Sequence, residues 1–127
     1  HGVGSYLNVH EGPHQISKRI NATPLQPGMI VTNEPGYYKK DEYGIRIENV
    51  MLVVPVKIDA SIEMLGFKTL TRVPIDPRLV EFSLLNEKER QWLKAYHQQM
   101  YKELKSRLEE GSRRWLLKIV EIFEREC

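Results

Sequence analysis

Between Asn86 and Glu110 the apolar residues Trp92, Tyr96, Met100, Leu104 and Leu108 recur at every fourth position, and Leu93 and Tyr101 widen the stripe. That spacing lays one apolar face along an α-helix and is incompatible with the period of two of a strand. Asn86 followed three residues later by Glu89 is an asparagine form of the capping box, which fixes where the helix starts. Gly111 is expected to stop it. A second helix then runs from about Ser112 to the end of the sequence. In that helix Trp115, Leu116, Leu117, Ile119, Val120, Ile122 and Phe123 cover more than one face. A segment so apolar is buried on several sides, either within its own domain or partly against a second subunit.

The first part of the chain has a different texture. Residues 1 to about 75 are rich in glycine, proline and β-branched residues. Pro27-Gly28 is a turn, Met29 to Asn33 suits a short buried strand, and Pro35-Gly36 ends it. The run "GIRIENVMLVVPV" is a second, longer strand, joined to the first through the polar loop "KKDEYG" as an antiparallel hairpin. "FKTLTRVPI" is a third strand candidate. The fold class is therefore α+β, an antiparallel sheet with a helical C-terminal tail, divided into residues 1–85 and 86–127.

The chain's 127 residues suffice for a modest core, and its 41% hydrophobic and 28% charged content is that of a globular protein. A formal net charge of +2 argues for neither nucleic acid nor a membrane surface as a partner, and no apolar run is long enough to span a membrane. The single cysteine, Cys127, excludes an internal disulfide and fits a reducing, cytoplasmic compartment.

Metal-ligand chemistry needs neutral imidazoles and carboxylates on rigid elements. His1, His10, His14, Glu11, Glu34 and Glu48 are the candidates. In the hairpin Glu34 closes the first strand and Glu48 sits on its partner, so the two carboxylates can converge. Ile30, Thr32 and Glu34 share one strand face, as do Arg46 and Glu48. Arg46 offers the competing reading, a plain salt bridge with Glu48. His14 and His97 lie in polar stretches and read as solvated. No zinc-finger spacing, phosphate loop or Ser-His-Asp arrangement is present.

The stretches "HGVGSYLNVHEGP", "PGMIVTNEPGYY" and "YGIRIENVMLVV" together resemble the C-terminal part of Xaa-Pro aminopeptidases of the large cytosolic eukaryotic type. Those enzymes are pita-bread metallopeptidases, relatives of methionine aminopeptidase and prolidase. The segment "EFSLLNEKERQWLKAYHQQMYKEL" resembles the C-terminal extension of the same type, which carries the subunit contact in relatives. The resemblance implies half of a pita-bread domain and two divalent metal ions, usually manganese, held by two aspartates, a histidine and two glutamates. It implies that His1 is the histidine ligand, that Glu34 reaches one metal and acts on the nucleophilic water, and that Glu48 bridges both. His10 would touch substrate and support the tetrahedral centre, with His1 also at the substrate site, and Arg46 would orient the acidic ligands from the second shell. The implied partners are peptides with proline at position 2 and a second copy of the chain, met through the C-terminal helices.

The two aspartates are not supplied by this sequence, and Asn33 stands where an aspartate is common. The chain is accordingly expected to be a fragment of a larger enzyme and inactive alone. The competing readings are a pita-bread module that binds peptides or histones without catalysis, and a prolidase-like dipeptidase. Retention of His1, His10, Glu34 and Glu48 weighs against the first, and the helical extension against the second.

Overall fold

Ile30–Asn33 (β1) pairs antiparallel with Asn49–Lys57 (β4), and β4 pairs antiparallel with Glu63–Thr69 (β5), giving a three-stranded sheet in the order β1-β4-β5. Gly36–Lys39 (β2) and Tyr43–Arg46 (β3) form a separate two-stranded ribbon. The computed structural model describes residues 1–6, 8–59 and 63–127, in two compact units, His1–Thr71 and Arg72–Cys127.

The hairpin read from the sequence is therefore interrupted. Asn33 faces Asn49 before the gap and Gly36 faces Arg46 after it, so both pieces keep one register. The ladder opens at Glu34-Pro35 on one side and Ile47-Glu48 on the other. Pro35 has no N–H to give to a ladder. The gap is held closed by the Ile47 N–H, which donates to the Pro35 carbonyl at 3.2 Å. The long strand is thus two, β3 and β4, and the third strand starts earlier than "FKTLTRVPI" suggests, at Glu63.

In the sheet Val31, Met51 and Val53 are buried. They share one face because Val31 pairs with Met51 and Val53 lies two residues on. Thr32 and Asn49 are also buried. A short N-terminal segment lies along β1: Gly2 bridges Val31 and Glu11 in antiparallel fashion.

In the second unit, helix α1 spans Glu87–Leu104 and helix α2 spans Glu110–Glu126. The capping box is complete, with the Glu89 N–H donating to Asn86 Oδ1 at 3.0 Å and the Asn86 N–H to Glu89 Oε2 at 2.9 Å. Gly111 does not stop α1. It has no positive φ and sits in the first turn of α2, while α1 has already ended at Leu104. The buried face of α1 is Leu93, His97 and Met100, and that of α2 is Leu116, Val120 and Phe123. Trp92 and Tyr96 stack on each other beside that face, with ring centroids 5.4 Å apart. Segment 72–85 belongs to this unit. Arg72 pairs with Glu103, the Tyr96 hydroxyl donates to the Val73 carbonyl, and the Arg90 guanidinium donates to the carbonyls of Phe82, Leu85 and Glu126.

His97 corrects the sequence reading. It is 0% exposed. Nδ1 lies 2.7 Å from the Leu93 carbonyl and Nε2 accepts the Ile75 N–H at 3.1 Å, which assigns the proton to Nδ1. The ring stacks on Phe123 at 3.7 Å between centroids. Its own helix supplies one partner and the 72–85 segment the other, which a local sequence window does not show.

Burial holds His97 below the ordinary imidazole range. The unfolded chain therefore takes up this proton more readily, so the ring's stabilising contribution is complete above about pH 6.5 and is lost as pH falls through the lower folded value. The melting temperature followed at 222 nm should drop between pH 7.5 and pH 5, and His97→Gln should show a smaller drop from a lower starting value. An equal pH dependence in the variant would place the acid sensitivity elsewhere.

Candidate metal centre

The broken ladder sets Glu34 opposite Glu48, because the register on both sides of the gap continues through it. Two carboxylates directly across from each other repel. The N-terminal segment brings a third donor to the same place. The Thr32 N–H donates to the His1 carbonyl at 2.9 Å and the Val3 N–H to the Ile30 carbonyl at 3.1 Å, which fixes His1 beside β1. His1, Glu34 and Glu48 each offer a ligand atom, and those atoms all lie within 4.8 Å of one another.

The details fit a cation. His1 Nδ1 is 2.9 Å from the Gly2 carbonyl, so Nδ1 carries the proton and donates it there. In the neutral ring Nε2 then holds a bare lone pair, and it faces Glu34 Oε1 at 3.1 Å. Two acceptors at that separation need a proton or a metal ion on or between them. A backbone bond that fixes the tautomer in this way is the usual support of a metal-bound histidine. Arg46 compensates only part of the negative charge. Its Nε is 3.2 Å from Glu48 Oε2, but its Nη1 is 3.9 Å from Glu34 Oε2. The salt bridge weighed against metal binding is thus present, and it leaves the imidazole–carboxylate contact unexplained. One imidazole nitrogen with two carboxylates suits manganese or zinc.

His10 stands next to this cluster. Its ring centroid is 4.5 Å from that of His1, and the side chain is exposed, free to meet a ligand. The Glu11 N–H donates to the Gly2 carbonyl at 2.9 Å and so ties His10's backbone to the His1 segment. Glu11 is not among the cluster's donors; its carboxylate accepts from the Asn8 amide instead. His14 is not solvated as its polar neighbours suggest. It is half-buried, Nε2 is 2.9 Å from the Ile30 carbonyl, and its buried Nδ1 has no hydrogen-bond partner among the described residues. It packs over Gly2, where a Cβ would come within 2.7 Å of its Nε2.

Two residues at the site were not singled out from the sequence. Thr32 touches both Glu34 and His1. Tyr38 holds Arg46 above its ordinary pKa, chiefly through a side-chain hydrogen bond, with Glu48 adding to the effect. Its ring lies across Gly36 and Gly44, where an added Cβ would approach to 2.7 Å in each case. Those two glycines flanking the turn were the available signal.

Residues 1–55 match the model of metallopeptidase family M24, and residues 63–122 match that of the C-terminal region of the same family. The chain belongs to the M24 metallopeptidases. It is 46% identical over its whole length to a probable Xaa-Pro aminopeptidase P of Laccaria bicolor. Over 91% of its length it is 49% identical to aminopeptidase P2 of Arabidopsis thaliana. It spans 20% and 17% of those two proteins respectively. It also superposes, with a TM-score of 0.77 and 41% identity, on the X-prolyl aminopeptidase of Caenorhabditis elegans, a cytosolic enzyme with a di-nuclear active site. That match covers all of this chain and 20% of the nematode enzyme. The α+β architecture is accordingly part of the pita-bread fold. No described helix is long and apolar enough to cross a membrane.

Glu34→Gln and His1→Ala should each lower bound divalent metal, read by elemental analysis of the purified protein, whereas His14→Ala should leave it unchanged. Metal lost on His14→Ala and retained on His1→Ala would reverse the assignment of the two histidines.

Proposed function

We propose that this chain is the C-terminal portion of a cytosolic, manganese-dependent Xaa-Pro aminopeptidase, in which His1, Glu34 and Glu48 hold two divalent metals and two further carboxylates come from outside this sequence. The observation that carries the proposal is the His1–Glu34–Glu48 donor cluster, with its tautomer-fixed imidazole, in a chain of this family. The substrate would be a peptide with proline in second position, cut at the bond preceding that proline. When bound, the metals supply polarisation of the scissile carbonyl and a water acidic enough to be deprotonated near neutral pH.

The chain's residues divide the remaining work. Glu34, held by Thr32 on one oxygen, accepts the proton of the attacking water. Glu48, opposite it, contributes the second carboxylate and is oriented by Arg46. His10, exposed and beside His1, donates a hydrogen bond to the oxyanion that develops as the carbonyl is attacked. A binding-only module would have no use for this donor set.

The subunit contact we assign to the outer face of α2. Phe123 is 0% exposed and, with Leu116 and Val120, belongs to the core of its own unit, so only the rest of the Trp115–Phe123 run is left for a partner. Trp115 is 58% exposed and, with Ile119, Ile122, Val73 and Ile75, lines an open apolar groove of about 570 Å³. Homodimerisation through this groove would cover it.

Two measurements test these assignments in the complete protein. With manganese, an Xaa-Pro peptide should be hydrolysed and the same peptide with alanine for proline should not; His10→Ala should lower kcat about 10²-fold with metals retained. Unaltered turnover in His10→Ala would remove it from the mechanism. Trp115→Ser should shift the sedimenting species from dimer to monomer without loss of metal, and a wild type that sediments as a monomer at micromolar concentration would reject the contact.

A further inference from the structure

Thr32 is 3% exposed, yet it carries a hydroxyl at the junction of two separate stretches of chain. Its Oγ1 lies 3.0 Å from Glu34 Oε1. It lies 3.2 Å from the His1 backbone nitrogen and 3.4 Å from the His1 carbonyl oxygen. A hydroxyl has one proton to give. The carboxylate is the nearer and stronger acceptor, and the charge-assisted bond to Glu34 wins over the longer contact to the carbonyl. An Oγ1 lone pair also faces the His1 nitrogen, which in this sequence is the terminal ammonium. Thr32 thus ties the two pieces of chain together, its hydroxyl to the Glu34 side chain and its N–H to the His1 carbonyl at 2.9 Å.

The arrangement follows from strand geometry. Thr32 and Glu34 point to the same side of β1 because side chains two apart share a face. A β-branched residue in a strand has few χ1 choices, so the hydroxyl is aimed rather than mobile. Glu34 itself lies where the ladder has opened at Pro35, and Arg46 grips it only loosely at 3.9 Å. Without Thr32 its carboxylate would have no close neutral donor among the described contacts.

We propose that Thr32 is a positioning residue of the metal centre: its hydroxyl fixes Glu34 Oε1 relative to the His1 segment, so that donors from two pieces of chain are spaced for a metal before the metal arrives. The inference rests on reading the cluster as a metal site. It adds that a residue that binds no metal sets the affinity. The competing account is that Thr32 merely fills space beside the buried β1 residues.

Substitution separates the two, because valine keeps the shape without the hydroxyl and serine keeps the hydroxyl without the methyl. Manganese affinity of the metal-stripped complete protein, measured by competition with a chelator, should fall about 10-fold or more in Thr32→Val. It should recover to within about threefold of wild type in Thr32→Ser. In a Glu34→Gln background Thr32→Val should cost little more, since the bond it removes is already weakened. Should Thr32→Val not fold by circular dichroism, Thr32→Ala against Thr32→Ser gives the same comparison. Wild-type affinity in Thr32→Val, or equal weakness in the serine and valine variants, would overturn the proposal. A wild type that binds no manganese would remove both the metal centre and this inference. One that binds manganese but spares Xaa-Pro peptides would remove only the substrate assignment.

Discussion

Two backbone hydrogen bonds, from Thr32 to the His1 carbonyl and from Val3 to the Ile30 carbonyl, hold the N-terminal segment along β1. Most of the candidate site depends on them. Once the His1 backbone is paired, Nδ1 turns to the Gly2 carbonyl and Nε2 is left facing Glu34. Gly2 makes that approach feasible, because the Glu11 backbone and the His14 ring both lie where a side chain would be.

The second constraint is the break at Glu34-Pro35. A continuous hairpin would bury ladder hydrogen bonds through this region and point its side chains alternately to the two faces. Proline prevents that, and the gap leaves Glu34 across from Glu48, bridged by the Ile47–Pro35 bond. The local structure therefore sets two like charges across from each other, which is costly. A bound cation offsets the charge cost by giving both carboxylates and the imidazole lone pair a common partner. On the proposed reading of the cluster as a metal site, folding of this segment and metal binding would be coupled for that reason.

Much of this was legible in the sequence. The period-of-four stripe and the Asn86–Glu89 pair placed α1, and the strand–turn–strand pattern brought Glu34 and Glu48 together before any coordinates. What was hidden depended on contacts distant along the chain. His97 reads as a surface residue in its own helix and becomes a core residue only because Ile75 and Phe123 reach it. Gly111 reads as a helix stop, but a glycine near a helix start costs little, and α1 ended earlier. Thr32 was placed on the Glu34 face by its spacing, though nothing local indicated that its hydroxyl would also meet His1. Tyr38 was overlooked although Gly36 and Gly44 marked the room its ring needs.

The account's central claim is that His1, Glu34 and Glu48 are ligands of one metal centre. Anomalous diffraction at the manganese edge from crystals of the complete, manganese-loaded protein tests it most directly. The account predicts two anomalous peaks in the cluster, with His1 Nε2 and Glu34 bound and Glu48 reaching both. Peaks elsewhere, or a cluster in which Arg46 alone neutralises the two glutamates and no metal is bound, would contradict it.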